Sequence, residues 1–489
     1  MKNVLLHALP SGRAALPLVL AALLAGCAAG PDYQAPAPLA DNALPRPANT
    51  APGSSSAFGA AQAWRADIDL EAPWWQQLGS PSLDALIDQA LQASPTLAAA
   101  QAQLRQAEEL QGAQERVTQW PRADLAVGSA RQHSSPSAQG LPGDGRTFSL
   151  HSASVSVQYQ LDVSGGNRRA LQALAARTDY RRYQLAGARL DLAARIASTA
   201  ITQARIAGQA EALEAIARNQ AAQTGIDQER LRLGQAMPAD VQALQAALEQ
   251  TRASALLLRK QAQQSAHLLA VLAGRAPGAE PLPAFSLGDF TLPAELPQVL
   301  PSELVRQRPD IQAAESLVRV ASAEHGVAVA RMYPQIRLSA NLGSQALTTG
   351  ALFGSGSAVW GLIAQLTQPL FDPALPAQQR AALAALDAAA AQYQVVVLDA
   401  LRSVADALRA IEADAQVLAT LERADTVAQA GLQSTQQQLK HGAASDLQWL
   451  VAQQQALQLR SSLVAAQAQR LADSAALFQA VGAGWRSAM

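Results

Sequence analysis

Apolar residues recur at helical spacing along most of the chain, and in a few short stretches that spacing gives way to strict alternation. The helical case is plain in the series Val241, Leu244, Leu248, Thr251, Ala255, Leu258, Ala262, Ser265, Leu269 and Leu272, which steps by three and four throughout. That is a coiled-coil seam with several small members, a pattern of plain helix packing. Two much longer helices are predicted where proline is missing, from Asn167 to Leu233 and from Ala377 to Lys440, the second interrupted only by Gly431. At 1.5 Å per residue each spans on the order of 100 Å, more than a compact domain holds. The alternating case is HSASVSVQYQLDV, where Val155, Val157, Tyr159 and Leu161 face one way and Ser154, Ser156, Gln158 and Gln160 the other. In QIRLSANLG, Ile336, Leu338, Ala340 and Leu342 alternate with Arg337, Ser339 and Asn341.

The pattern occurs twice. Gly234 matches Gly442 and Gly274 matches Gly482, with no gap between the two pairs. Upstream, QWPRADLAVG (Gln119 to Gly128) matches MYPQIRLSANLG (Met332 to Gly343), and SPTLAAAQAQL (Ser94 to Leu104) matches RPDIQAAESLV (Arg308 to Val318). Each copy predicts the order helix, strand, strand, very long helix, turn, helix, so a domain-sized unit is read as duplicated and fused. Strands with one polar and one apolar face fit either a soluble sheet or a lipid-facing barrel; alternation alone does not separate them, and taken by itself it favours the soluble sheet. Four strands among hundreds of helical residues have no evident second sheet to cover them, which favours the barrel. Trp360 and Tyr159 suit an interfacial aromatic girdle.

Composition sharpens this. Charged residues make up 15% of the chain, below the roughly 25% of ordinary soluble domains. The net charge of −1 offers no basic surplus for nucleic acid. No unbroken apolar run of 18 or more follows the N-terminal region, so no transmembrane helix is expected. The N-terminus itself reads as a secretory signal: Lys2 and Arg13 precede an apolar stretch, Ala14 to Ala25, that is too short to span a bilayer. Leu24-Ala25-Gly26-Cys27 resembles a bacterial lipobox, and Cys27 is the single cysteine, which excludes an internal disulfide. A lipobox implies cleavage before Cys27, S-diacylglycerol on its thiol and an N-palmitoyl group on its amine. Ala28, where an aspartate would retain a lipoprotein at the inner membrane, is compatible with export to the outer one. Catalytic chemistry is not found. The six histidines are scattered, and VSGGNRR (Val163 to Arg169) lacks phosphate-loop spacing and reads as a strand-to-helix turn.

Four motifs carry a resemblance: CAAGPDY (Cys27 to Tyr33), PWWQQLGSPSLDALIDQAL (Pro73 to Leu91), LPSELVRQRPDIQAAE (Leu300 to Glu315), and YPQIRLSANLG with QPLFDP. Together they resemble the TolC-like outer membrane efflux proteins, in the lipoprotein branch that serves resistance-nodulation-division pumps. LDVSGGNRR and FDPALPAQQR depart from the family at two strand-to-helix corners, where it usually has an aromatic and a glycine pair. The resemblance implies an α+β membrane protein: a homotrimer whose four strands per chain close a 12-stranded outer-membrane β-barrel, continued by a long α-helical periplasmic tube. Its partners are a periplasmic adaptor, an inner-membrane pump and outer-membrane lipid. It acts as a passive exit duct for drugs or other small toxic compounds, with no cofactor beyond the lipid on Cys27. A duct for type I protein secretion and a pore-less coiled-coil spacer remain as alternatives; the strands argue against the spacer. The expected organisation is a signal over 1–26, an extended lipidated segment over 27–81, repeat 1 over 82–274, a linker over 275–299, repeat 2 over 300–484 and a tail over 485–489. The turns around Gly234 and Gly442 are expected to dock the adaptor. Asp446, with Asp240 as a rival, is expected to ring the periplasmic mouth.

Overall fold

The computed structural model describes residues 32–34, 62–65, 68–136, 140, 142–279, 282–298, 304 and 307–485. Cys27 and the signal lie outside the described residues. Two compact units divide the chain, one of 1–35, 105–180 and 315–392, the other of 36–104, 181–314 and 393–489. Each unit therefore draws matching segments from both sequence repeats.

The first unit holds a four-stranded sheet. Its strands are β2 (Arg122–Ser134), β3 (Arg146–Leu161), β5 (Gln335–Ala346) and β6 (Ala358–Thr367), paired in the order β2-β3-β5-β6 and antiparallel throughout. The central pair, β3 with β5, joins one repeat to the other. A helix leads into or out of each strand at the same end of the sheet: α2 (Pro95–Gln119), α3 (Gly166–Arg232), α5 (Pro309–Ala330) and α6 (Ala374–Lys440). At the β3–α3 corner Asp162 accepts from the backbone N–H of Asn167 and Arg168 at 2.9 and 2.8 Å. This carboxylate satisfies the orphan amides of the helix start. The glycines of VSGGNRR thus serve a capped turn whose anion is supplied by the chain itself.

Helices α3 and α6 each run 67 residues, close to the proline-free stretches. Helix α6 begins slightly ahead of expectation because Pro376 sits in its first turn, where no helical N–H bond is lost. One expectation needs correction. Although no unbroken apolar run exists, α6 carries an 18-residue window of mean hydropathy 1.5 that is long and apolar enough, on average, to cross a membrane. Asp387, Gln392, Tyr393 and Gln394 break the apolar residues of α6 into shorter runs, which is why run length missed it. Only 11% of that window is buried within the chain.

The second unit is built on helix packing. Its elements include α1 (Pro81–Ala93), α4 (Pro238–Leu272) and α7 (Asp446–Val481). Every member of the α4 seam from Val241 to Leu272 is buried or half-buried, whereas Leu256 and Leu257 on another face are exposed. The PWW motif supplies core anchors: Trp74 stacks on Phe478 at 6.0 Å and meets Trp75 edge-on. The RPDI motif is a structural tie. Arg308 pairs with Asp310 at 2.7 Å and donates to Ser403 Oγ and to the carbonyl of Ala480, so it fastens the start of α5 to α6 and to the last turn of α7. A small parallel ladder, β1 (Ala63–Arg65) on β4 (Glu295–Pro297), joins the N-terminal segment to the inter-repeat linker and was not anticipated from the sequence. Three-residue strands are too short to show a period.

Candidate functional site

Two features match the expected chemistry, one in each unit. In the first unit, paired residues stand on the same face of the sheet, so register decides whether the four alternations agree. They do. Leu125, Val155, Leu342 and Trp360 form one row across all four strands, and Leu161, Ile336 and Leu366 form another. Between them lie Val157, Ala340 and Leu362 in one row and Tyr159, Leu338 and Ala364 in the next. The opposite face carries Asp124, Ser156 and Asn341 in one row and Gln160, Arg337 and Gln365 in another. The apolar face is open: Leu125 is 73% exposed, Leu342 66% and Trp360 79%. An uncovered apolar sheet of this extent requires a covering phase or partner.

Aromatic residues mark the limits of that face. Trp360 pairs with Leu342 near the start of β6, while Tyr159 pairs with Leu338 toward the opposite, helix-bearing end. The two residues expected to share a girdle therefore stand at different levels. Trp120, Tyr333 and Phe371 flank the helix-bearing end and are exposed; Tyr159 donates its hydroxyl to the carbonyl of Thr118. Both edge strands, β2 and β6, leave one side of their backbone without a strand partner among the described residues.

In the second unit, two turns close the helix pairs α3–α4 and α6–α7. Gly234 and Gly442 adopt φ of 73° and 71°, the left-handed region, and a side chain there would meet no atom within 4 Å. Backbone geometry, not crowding, asks for glycine at both. The hydrogen bonds are the same in the two copies. Gly234 N–H donates to Leu231 and Gln235 N–H to Arg230, as Gly442 does to Leu439 and Ala443 to Gln438. The helices that follow begin differently. Ser445 and Gln448 cap α7 reciprocally, Gln448 N–H donating to Ser445 Oγ at 3.3 Å and Ser445 N–H to Gln448 Oε1 at 2.8 Å. In α4 the matching place is Asp240, whose Oδ2 accepts from Met237 N–H at 3.4 Å. Asp240 thus has local work at a helix start, whereas the exposed Asp446 makes no side-chain hydrogen bond among the described residues. The S-x-x-Q spacing at Ser445 was legible as a capping box. The roles of Asp162 and Arg308 were not, since their partners are set by the corner and by a distant helix.

Among the described residues no cluster of three His, Cys, Asp or Glu is placed to hold a metal ion. The comparisons agree with the geometry. The antibiotic efflux pump outer membrane protein ArpC of Pseudomonas putida is 28% identical over 479 residues, covering 96% of this chain and 94% of that one. The outer-membrane channel OprN superposes with a TM-score of 0.81 at 25% identity, covering 94% of this chain and all of that one. The outer membrane protein VceC of Vibrio cholerae superposes with a TM-score of 0.74 at 27% identity over 84% of this chain and 98% of that one. A sequence model of the outer membrane efflux proteins matches residues 86–275 and 300–483, once in each repeat, and the chain belongs to that family.

Proposed function

We propose that three copies of this outer-membrane efflux protein close into one barrel of twelve strands, four from each chain, continued by a helical tube through the periplasm. The assembly is the passive exit duct of a tripartite pump for antibiotics or other small toxic compounds. An inner-membrane pump supplies the energy, and a periplasmic adaptor seals the joint. The observation that carries this reading is the sheet with one apolar face and two open edges. Along the order β2-β3-β5-β6 direction alternates, so β2 and β6 run opposite ways. The β6 of one copy can then meet the β2 of the next in the same antiparallel sense as every other pair, and closure leaves no edge. The apolar rows face lipid and the polar rows line the lumen, as in other outer-membrane barrels.

The two repeats are copies of one unit, which gives a threefold assembly near-sixfold character. The glycine turns at Gly234 and Gly442 are the periplasmic tips that dock the adaptor, and Asp446 narrows the mouth. Cys27 carries the acyl chains, which anchor the chain beside the barrel. The direct test is a cysteine scan along both edge strands in a Cys27→Ser background, with oxidation in outer-membrane vesicles. Crosslinked species ending at three chains, formed only when β2 and β6 both carry a cysteine, are expected. Crosslinks that stop at two chains, or none at any register, overturn the trimeric barrel.

A further inference from the structure

In the sheet-bearing unit a groove of about 500 Å³ opens among the first turns of α3, the last turns of α5 and the first turns of α6. Its floor is small and apolar: Ala173 and Leu174 of α3, Val327 and Ala328 of α5, Ala381 and Ala382 of α6. Two close approaches hold α3 on α5 beside it. An added Cβ at Gly166 would stand 3.2 Å from Ala330 Cβ, and one at Gly326 would stand 3.0 Å from Arg169 Cγ and Cδ. Glycine is disfavoured inside a helix, so a close crossing is the physical reason for Gly326. The alanine methyls that look into the groove are too short to fill it. Charge is placed around this floor. Arg177 of α3 pairs with Glu324 of α5. Arg331, just past the end of α5, is exposed and has no side-chain partner among the described residues. The lining therefore sets two guanidinium groups against one carboxylate, and the one left over is Arg331.

We propose that this groove binds a small amphiphilic anion, a compound with a compact apolar body and one carboxylate or sulfonate group. The body lies on the alanine floor and the anion on Arg331. The proposal narrows the duct reading to one class of exported solute, and it rests on that reading for the source of the ligand. Small-molecule sites span about 300 to 1,000 Å³ and are mostly apolar, with a few polar groups that fix orientation. The groove matches that description in size and in lining. A guanidinium stays charged at any physiological pH, and its fork of donors fits an oxyanion on two points. A cation would meet the excess positive charge, and a phospholipid with two acyl chains is too large for the space. Helices α3 and α5 adjoin the inner strands β3 and β5. A neighbouring chain in the proposed barrel would therefore meet α2 and α6 first and leave these two walls free.

Anilinonaphthalene sulfonate, whose fluorescence rises on leaving water, is the probe. It is titrated onto the full-length protein in phosphatidylcholine nanodiscs, with empty nanodiscs subtracted. Saturable binding is expected, weaker at high salt. Arg331→Gln alters an exposed side chain and is expected to raise Kd by about tenfold or more. Glu324→Gln frees Arg177 and is expected to lower Kd, with little effect on the fold because the ion pair is exposed. Phenylnaphthylamine, the same apolar body without the sulfonate, is expected to bind the native protein and Arg331→Gln alike. No saturable binding of the sulfonate, or equal affinity in Arg331→Gln, overturns the proposal. Displacement of the probe by phosphatidylglycerol in the nanodisc would give the groove to a lipid headgroup and overturns it likewise. Single-channel conductance of the same protein reads the duct separately. An Arg331-dependent site in a protein that conducts nothing removes the duct and keeps the site; a conducting protein without such a site does the reverse.

Discussion

A single buried acid shows how much a residue's setting can shift its chemistry. Asp473 lies on α7 beside the buried Arg470, whose guanidinium donates to the carbonyl of Ile411. Gln469 donates to Asp473 Oδ1 at 3.0 Å, while Oδ2 is buried with no donor in reach. Burial first, then the neighbouring Asp414, pushes the Asp473 carboxyl up to about 7, with Arg470 acting the other way. Protonated, Oδ2 can donate toward Asp414. Because the folded state holds this proton more tightly than the unfolded chain, the group's stabilising contribution is complete below the ordinary carboxylate range. It is lost as pH rises through about 7. Asp473→Asn mimics the protonated form. Thermal melts are therefore expected to show the variant above the native protein in Tm at pH 8 and level with it at pH 5. An equal offset at both values counts against the raised carboxyl.

At the scale of elements, the sheet is where a polar substitution separates the two faces most sharply. Val157 belongs to an apolar row with Ala340 and Leu362, and its neighbour Ser156 to a polar row with Asp124 and Asn341. An arginine on a lipid face near the bilayer midplane costs roughly 2 to 4 kcal/mol, whereas a lumen-facing one keeps its water. Val157→Arg is expected to reduce the yield of SDS-resistant assembled protein in outer-membrane fractions well below that of Ser156→Arg. Equal yields would mean that the apolar face does not meet lipid. The helices carry a similar message. Leu256 and Leu257 on α4 are exposed, and the apolar window of α6 is mostly uncovered within one chain. Alanine-rich, uncovered helix surface suits close approach by a neighbouring helix, as the proposed trimeric tube would require.

At the scale of the proposed trimer the candidate residue is Asp446, whose role there would come through symmetry. It is exposed at the first position of α7, with no side-chain partner among the described residues, while Asp240 is engaged at the start of α4. In the proposed trimer, threefold symmetry would bring three Asp446 carboxylates around one axis, where like charges repel more strongly as water is excluded. Such a ring attracts cations and is strained when closed. Asp446→Ala is expected to raise single-channel conductance in planar bilayers and to reduce cation selectivity. Asp240→Ala is expected to leave both unchanged and to weaken the start of α4. Unchanged conductance and selectivity in Asp446→Ala would leave it an ordinary surface residue.

Periodicity was readable in the sequence because it is local. Alternation around Val155 and Ile336, the three-four seam of α4, and the absence of proline across α3 and α6 each follow from the geometry of one element. Recurrence at a constant spacing added that the order of elements occurs twice. The turns at Gly234 and Gly442 were legible for the same reason, since glycine there answers a backbone angle and not a neighbour. What only the tertiary structure decided depends on residues far apart in the chain. The pairing of β3 with β5 aligns the apolar rows of both repeats on one face, and no single strand carries that information. Arg308 finds its partners on α6 and α7, Asp32 finds Arg169, and Ala63 to Arg65 find their ladder on Glu295 to Pro297. Each is a contact across more than 90 positions, chosen by the packing of helices around it. A local pattern fixes which face of an element is apolar; only the assembled fold determines what that face meets.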